Sequence, residues 1–280
     1  MILDDVLNEG DSLPIRSRSS GPCYRFAIVR LRQSRSCLVH LSIMKITPAL
    51  TVLAALSVAA SAFAQENAEA IKQRILAQAQ SLGESDFAFT RTSRTEGVSN
   101  GKTEKRVMVE KFDPAKAGDA RWTLVSIDGA PPPADALARY NKESAKRRVP
   151  GYFRLGHYFG SSATTSQDAQ GRTVFRFASL PKGTLLVMDN DVSQNASAEV
   201  TVGDANGTPF AEQVRVTVKP MRIKLIIKLD RFESTNRYRM GADGKPILVE
   251  ATQDLAGSGM GQSGTMHSES SYADYRAVRR

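Results

Sequence analysis

A mainly β, α+β fold is expected for this chain: a large curved antiparallel sheet, or half-open barrel, of about ten strands with two covering helices. Three observations predict it. Apolar residues recur at every second position over Val214, Val216 and Val218, and again over Met221, Ile223, Leu225, Ile227 and Leu229, with Arg222, Lys224, Ile226, Lys228 and Asp230 between them. A helix would smear that period around its circumference, whereas a half-buried strand keeps the apolar set on one side. Asn-Gly pairs at 100–101 and 206–207 separate strand-like runs, a strong short-range hairpin signal. Only two stretches, 68–82 and 134–148, read as helix.

The chain carries a leader-like segment at 44–64. Met44-Lys45 is basic, Ala49 to Ala60 is apolar, and Ala62-Phe63-Ala64 is a small-x-small site before Gln65. These are the three parts of a cleavable secretory signal peptide. The expected mature chain, 65–280, is a single β-rich domain in the periplasm; secretion or retention by an N-terminal anchor are the alternatives. Residues 1–43 hold six Arg, no Lys and both cysteines (Cys23, Cys37), without a helix or strand period. They are expected to be a disordered extension upstream of the native start. The remainder has no cysteine, so its fold must rest on its core rather than on disulfides. Of the formal net charge of +9, residues 1–43 contribute +2 and Lys45 +1, leaving +6, a modest surplus that favours anionic envelope surfaces or acidic partners but is also common without such a role. No nucleic-acid-binding motif accompanies it.

Each element has a local reason. In the first helix Ala68, Ile71, Ile75, Ala79 and Leu82 fall on one stripe, with Asn67 as candidate N-cap and Gly83 as candidate stop. Period two begins at Phe87 and Phe89 and runs to Thr95, turns at Asn100-Gly101, and returns through Arg106–Val109. A third strand covers 122–127 and ends at Asp128-Gly129. Pro131-Pro132-Pro133 opens the second helix, with Asp135 at its positive start and Lys142, Lys146, Arg147 and Arg148 at its far end, where cations suit the dipole. Pro150-Gly151 stops it. Strands are then expected at 173–180, 184–189, 198–202 and 213–219, and Met221 to Asp230 reads as one strand. Its phase shifts by one across Lys219-Pro220, as a hairpin or a bulge would produce. Tyr238 to Met240 and Ile247 to Val249 flank a hairpin containing Gly244, and a last strand covers about 265–278.

Two surfaces are candidates for function. One is a stripe of cations, Arg215, Lys219, Arg222, Lys224 and Lys228, which on paired strands would contact an anionic head group; the plainer reading is a solvated face. The other is apolar: Phe87, Phe89, Trp122, Phe175, Phe177, Ile223, Leu225 and Ile227 would line a ligand cavity in a half-open barrel, or fill the core of a closed one. Catalytic machinery is not evident. The mature region holds only His157 and His267, no thiol, no G-x-S-x-G and no H-E-x-x-H. Asp189 to Asn195 places oxygens at alternate positions as a calcium loop does, but has Gln194 where that loop needs Gly and Val200 where it needs Glu. Gly257 to Gly264 is glycine-rich, yet leads into a strand rather than a helix that would receive a phosphate. No metal, no cofactor and no enzymatic activity are expected.

The N-terminal amphipathic helix, the long antiparallel meander and the ending Ser271-Tyr272-Ala273-Asp274-Tyr275-Arg276-x-Val278 resemble the LolA-type lipoprotein-carrier superfamily. The resemblance implies a half-open barrel with helices over a hydrophobic cavity, and lipid or lipoprotein acyl chains as partners. The segment Trp122-x-Leu124-x-x-x-Asp128-Gly129-x-Pro131-Pro132 is similar to one in uncharacterised bacterial envelope proteins. Three functions follow as expectations. The first is an exported soluble protein sheltering an acyl or lipid-like moiety. The second is a non-enzymatic envelope structural or interaction module with a filled core, and the third is a hydrolase.

Overall fold

In the computed structural model, which describes residues 67–278 apart from 145–146, 160, 225–226 and 260–261, both Asn-Gly pairs turn hairpins. Asn100 and Gly101 have φ of 51° and 75°, and Asn206 and Gly207 55° and 80°, the left-handed pair that a two-residue turn requires. The leader and upstream readings at 1–64 lie outside the described residues, as does Leu225.

Helix α1 spans 67–80. The hairpin β1 (Phe87–Ser99) and β2 (Lys102–Phe112) is followed by β3 (Trp122–Ile127) and helix α2 (Ala134–Ser144). After a 3-10 helix, Tyr152–His157, come β4 (Thr164–Gln167), β5 (Thr173–Phe177) and a two-stranded hairpin of β6 (Leu186–Val187) and β7 (Asn190–Asp191). The rest is β8 (Ala196–Ala205), β9 (Thr208–Val218), β10 (Met221–Lys224), β11 (Ile227–Met240), β12 (Pro246–Gly259) and β13 (Gln262–Ala277). The main sheet runs β3-β2-β1-β13-β12-β11-β9-β8-β5-β4, with β10 also paired to β11. All its pairings are antiparallel. Strands β3 and β4 are its edges and do not pair with each other, so the curved sheet stays open. The expected fold class is the observed one.

One expectation is corrected. Met221 to Asp230 is not one strand but two antiparallel ones, β10 and the start of β11, with Met221 opposite Leu229 and Arg222 opposite Lys228. An irregularity between Arg222 and Lys224 takes up one residue. The apolar alternation therefore continues in phase from β10 into β11 and mimics a continuous strand.

Alternation gives the sheet two distinct faces. The inner face, covered by the helices, carries Trp122, Phe112 and Phe89 at one end and Val200, Val214, Val216, Phe175 and Phe177 on the β5-β8-β9 wing, all buried. From α1, Ile75 is fully buried, with Ala68 and Ala79 beside it and Ile71, joined by Leu82 just past the helix end, packed at the margin. The expected stripe is thus the one that docks; burying an Ile side chain contributes about 1.5–3 kcal/mol. The outer face is charged and cross-paired: Arg176 to Glu199 at 2.7 Å and Arg215 to Glu233 at 2.8 Å.

The inner face also buries charge. Glu110 on β2 is 1% exposed and sits opposite Arg91 of β1, itself 3% exposed. Arg91 Nε donates to Glu110 Oε2 at 2.7 Å, and Tyr140 Oη of α2 donates to Oε1 at 2.9 Å. Arg147 Nη1 donates to the same Oε1. Two guanidinium groups thus share one carboxylate. The excess positive charge faces aromatic π clouds: Arg91 lies 4.7 Å from the Trp122 ring centre and Arg147 3.9 Å from that of Tyr140. Burial by itself would lower the pKa of the Arg91 guanidinium, but the Glu110 carboxylate more than offsets this and the net shift is upward. The network ties α2 and the chain after it to the β1-β2 hairpin. Replacing Glu110 by Ala should destabilise the fold by about 3–5 kcal/mol in urea unfolding, because two cations lose their buried partner. Glu110→Gln, which keeps an acceptor for Tyr140, should cost less.

Candidate functional site

Past α2, Pro150 prevents the helix from continuing, and the chain crosses the inner face as the 3-10 helix Tyr152–His157. Residues three apart eclipse in such a helix. Tyr152 and Leu155 therefore share an edge and are buried in the core, while Arg154 and His157 share another. The Tyr152 hydroxyl accepts the Ala211 N–H of β9 at 2.8 Å and donates to Gln78 Oε1 of α1 at 3.2 Å. Gln78 Nε2 in turn donates to the Pro209 carbonyl at 3.1 Å. This short chain of bonds holds the crossing segment and α1 against the β8-β9 hairpin. The Tyr152 ring meets Tyr238 of β11 edge-on at 5.2 Å.

Beneath the crossing segment lies a cavity of about 100 Å³. Its floor is the inner face where β11, β12 and β13 run side by side, presenting Ser234, Asn236, Gln253, Ser268 and Ser270. Tyr238, Tyr272 and Leu248 form a wall, and Arg148, Arg154, His157 and Tyr158 lie over it. At roughly 30 Å³ per water molecule the space holds about three waters. That is well below the roughly 300–1,000 Å³ of a drug-sized ligand site.

Polar groups here are positioned rather than merely buried. Ser268 Oγ is bonded to Thr95 Oγ1 at 3.2 Å and Ser270 Oγ to Ser93 Oγ at 2.8 Å, both pairs lying across the β1-β13 ladder. Gln253 is 8% exposed, and its Nε2 is buried without a hydrogen-bond partner. Arg154 Nε donates to the Val149 carbonyl at 2.7 Å, while its Nη2 reaches Glu84 only at 3.9 Å. Burial pulls the Arg154 pKa below its ordinary value; Glu84 opposes this and Arg148 adds to it. Burial also raises the Tyr238 and Tyr158 phenols, which stay protonated donors at neutral pH.

The residues singled out from the sequence lie elsewhere. Phe89 packs against Phe112, Trp122, Tyr272 and Tyr275 at ring separations of 5.0–5.8 Å across the cluster, and Phe87 meets Tyr275 at 5.9 Å. Phe175 and Phe177 pack against Phe159 on the opposite wing. These are two filled clusters, and none of the five aromatic residues lines the cavity. Ile223 and Ile227 are half-buried on the β10-β11 hairpin. Among the cations, Arg215, Lys219, Arg222 and Lys228 are exposed. Arg215 is paired with Glu233 at 2.8 Å and Lys228 with Asp230 at 2.6 Å, so the stripe is interleaved with carboxylates. The side chain of Lys224 lies outside the described residues. Periodicity missed Gln253 and Ser234, because polar residues at inner positions break the pattern that defines an inner face. An interruption of that kind in an otherwise apolar strand is the one signal that points to them.

The two histidines occupy opposite faces. His157 borders the cavity. His267 lies on the outer face of β13, its Nδ1 2.9 Å from Asp254 and its Nε2 3.3 Å from Glu269. Among the described residues no group of three or more His, Cys, Asp or Glu side chains is placed to hold a metal ion, and no helix is long and apolar enough to cross a membrane.

The sequence matches no protein-family model and no curated protein. Among solved structures the chain is similar to a LolA superfamily protein from Nitrosomonas europaea, at 11% identity and a TM-score of 0.32, over 76% of this chain and 94% of that one.

His267 supplies a direct check on the outer-face geometry. The hydrogen bonds to Asp254 and then Glu269 raise its pKa above the ordinary value of 6.5. Its stabilising contribution is therefore complete below the unfolded pKa of about 6.5 and is lost as pH rises through the folded one. An NMR titration should place the His267 midpoint above that of a free histidine, and Asp254→Asn should bring it down.

Proposed function

We propose that this chain is an exported binding protein that shelters an acyl or lipid-like moiety in the cell envelope, between the inner face of its open sheet and the segments crossing that face. One observation carries the reading: a cavity already exists there, under a crossing segment held by a few hydrogen bonds and ring contacts. As it stands, the cavity admits a head group rather than a chain. An acyl chain enters when the 148–158 segment lifts and the inner-face side chains part. Sheltering roughly sixteen carbons from water is worth on the order of 10 kcal/mol at about 0.8 kcal/mol per CH₂, enough to offset such a rearrangement. The leader pattern at 44–64 supports export to the periplasm. Exposed Lys219, Arg222 and Lys228 suit contact with an anionic envelope surface.

A second reading, an interaction module with a filled core, is favoured by the two aromatic clusters, which pack on themselves. One experiment separates the two. Protein purified under gentle conditions is examined by native mass spectrometry with organic extraction, and titrated with an acyl fluorophore. Co-purifying lipid or saturable probe binding is the expected result; ligand-free protein that ignores the probe overturns the carrier reading in favour of the module. N-terminal sequencing of the exported form should begin at Gln65, and a terminus upstream of Met44 would remove the export reading.

A further inference from the structure

We infer that the cavity floor is a recognition site for a compact oxyanion, the carboxylate or phosphate group of the sheltered ligand, held by Gln253 and the serines beneath it and by Arg148 and Arg154 above. The inference rests on the proposed function for where the ligand sits, and adds what its polar end must be.

The argument begins with an unmet donor. Gln253 is more than nine-tenths buried, lines the cavity, and has an amide Nε2 that no group of the protein accepts. A buried donor in that state is costly, and one that borders a cavity calls for an acceptor within it, a water or a ligand oxygen. Its neighbours across the sheet continue the pattern. The register places Ser234 of β11 and Ser268 of β13 on either side of Gln253, so the three form one row across three strands. Ser268 and Thr95 share a single hydrogen bond between two hydroxyls, as do Ser270 and Ser93. The Ser268–Thr95 pair uses one of its two protons, leaving the other to turn into the cavity, whereas Ser270 also bonds the Tyr272 hydroxyl.

The groups above have matching chemistry. Arg148 and Arg154 line the cavity together with His157, and no Asp or Glu is among its lining residues. The carboxylate facing Arg154 is Glu84 at 3.9 Å, longer than a hydrogen bond, and the two arginines repel each other. A guanidinium offers a planar fork of donors that fits a carboxylate or phosphate two oxygens at a time. With donors below, cations above and room for about three waters, the site is complementary in charge and size to one small oxyanion. A cationic head group would be repelled by the two arginines, and a neutral one would leave their charge uncompensated.

The test uses the full chain, with inorganic phosphate and octanoate as probes and octanol as the uncharged control, followed by calorimetry and by the NMR amide signals of Gln253 and Arg154. Saturable binding of at least one anion, with octanol weaker, is expected. Phosphate alone would identify a phosphorylated head group, and octanoate alone a fatty-acid carboxylate. Gln253→Leu, which keeps the side-chain bulk and removes the donor, should weaken anion binding about tenfold. Gln253→Glu, which sets a like charge on the floor, should weaken it further, and Arg154→Met provides a variant remote from the strand should either destabilise the sheet. Binding of neither anion to folded protein, or unchanged binding in these variants, overturns the inference. Acyl-fluorophore binding that survives such a result would leave the proposed function standing. Anion binding without any acyl binding would sink that function instead.

Discussion

The buried carboxylate of Glu110 is the constraint on which the site depends. It lies in the inner face between Arg91 of the neighbouring strand and Tyr140 and Arg147 of the α2 region. A lone carboxylate there would be prohibitive, and so would either guanidinium alone; together, with aromatic faces on both cations, they are mutually supporting. The consequence is positional. Arg147 is the residue before Arg148, so anchoring it fixes where the chain leaves α2 and begins to cross the sheet. The cavity and its basic cover follow from that one anchorage.

The inner face is chemically uneven, and the unevenness locates the site. Its two ends carry aromatic clusters, one around Phe89 and one around Phe159, whose rings pack on each other. Between them, where β11, β12 and β13 lie adjacent, the same face carries serine, asparagine and glutamine. Small polar side chains cannot fill a volume that Phe or Leu would, and the space they leave is the cavity. Packing defect and hydrogen-bonding capacity coincide because both come from the same substitutions of polar for apolar residues.

Much of the fold was legible because its signals are local. Asn-Gly turns, period-two runs and the stripe of α1 each specify structure within a few residues. The β10-β11 hairpin was misread for an equally local reason: an irregularity within β10 restored the phase that a hairpin usually interrupts. The central ion pair was available by arithmetic that periodicity does not perform. Folding the chain about Asn100-Gly101 sets Arg91 opposite Glu110. The cavity was not legible, since Gln253, Ser234, Ser268 and Arg154 come from separate elements and are brought together by strand order alone. The aromatic residues are conspicuous in the sequence, but lining and filling share one period, and only the ring packing shows which neighbours they meet.

Strand order also bears on when this molecule can acquire its shape. The last strand, β13, does not lie at an edge but between β1 and β12, and the Ser93–Ser270 bond spans 177 residues of chain. The amino-terminal hairpin and the later meander have no ladder joining them until that strand is inserted. Closure of the sheet therefore waits on the insertion of β13, and such long-range closure is slow compared with forming a local hairpin. Until that strand is in place, β1 and β12 each carry an unpaired inner edge.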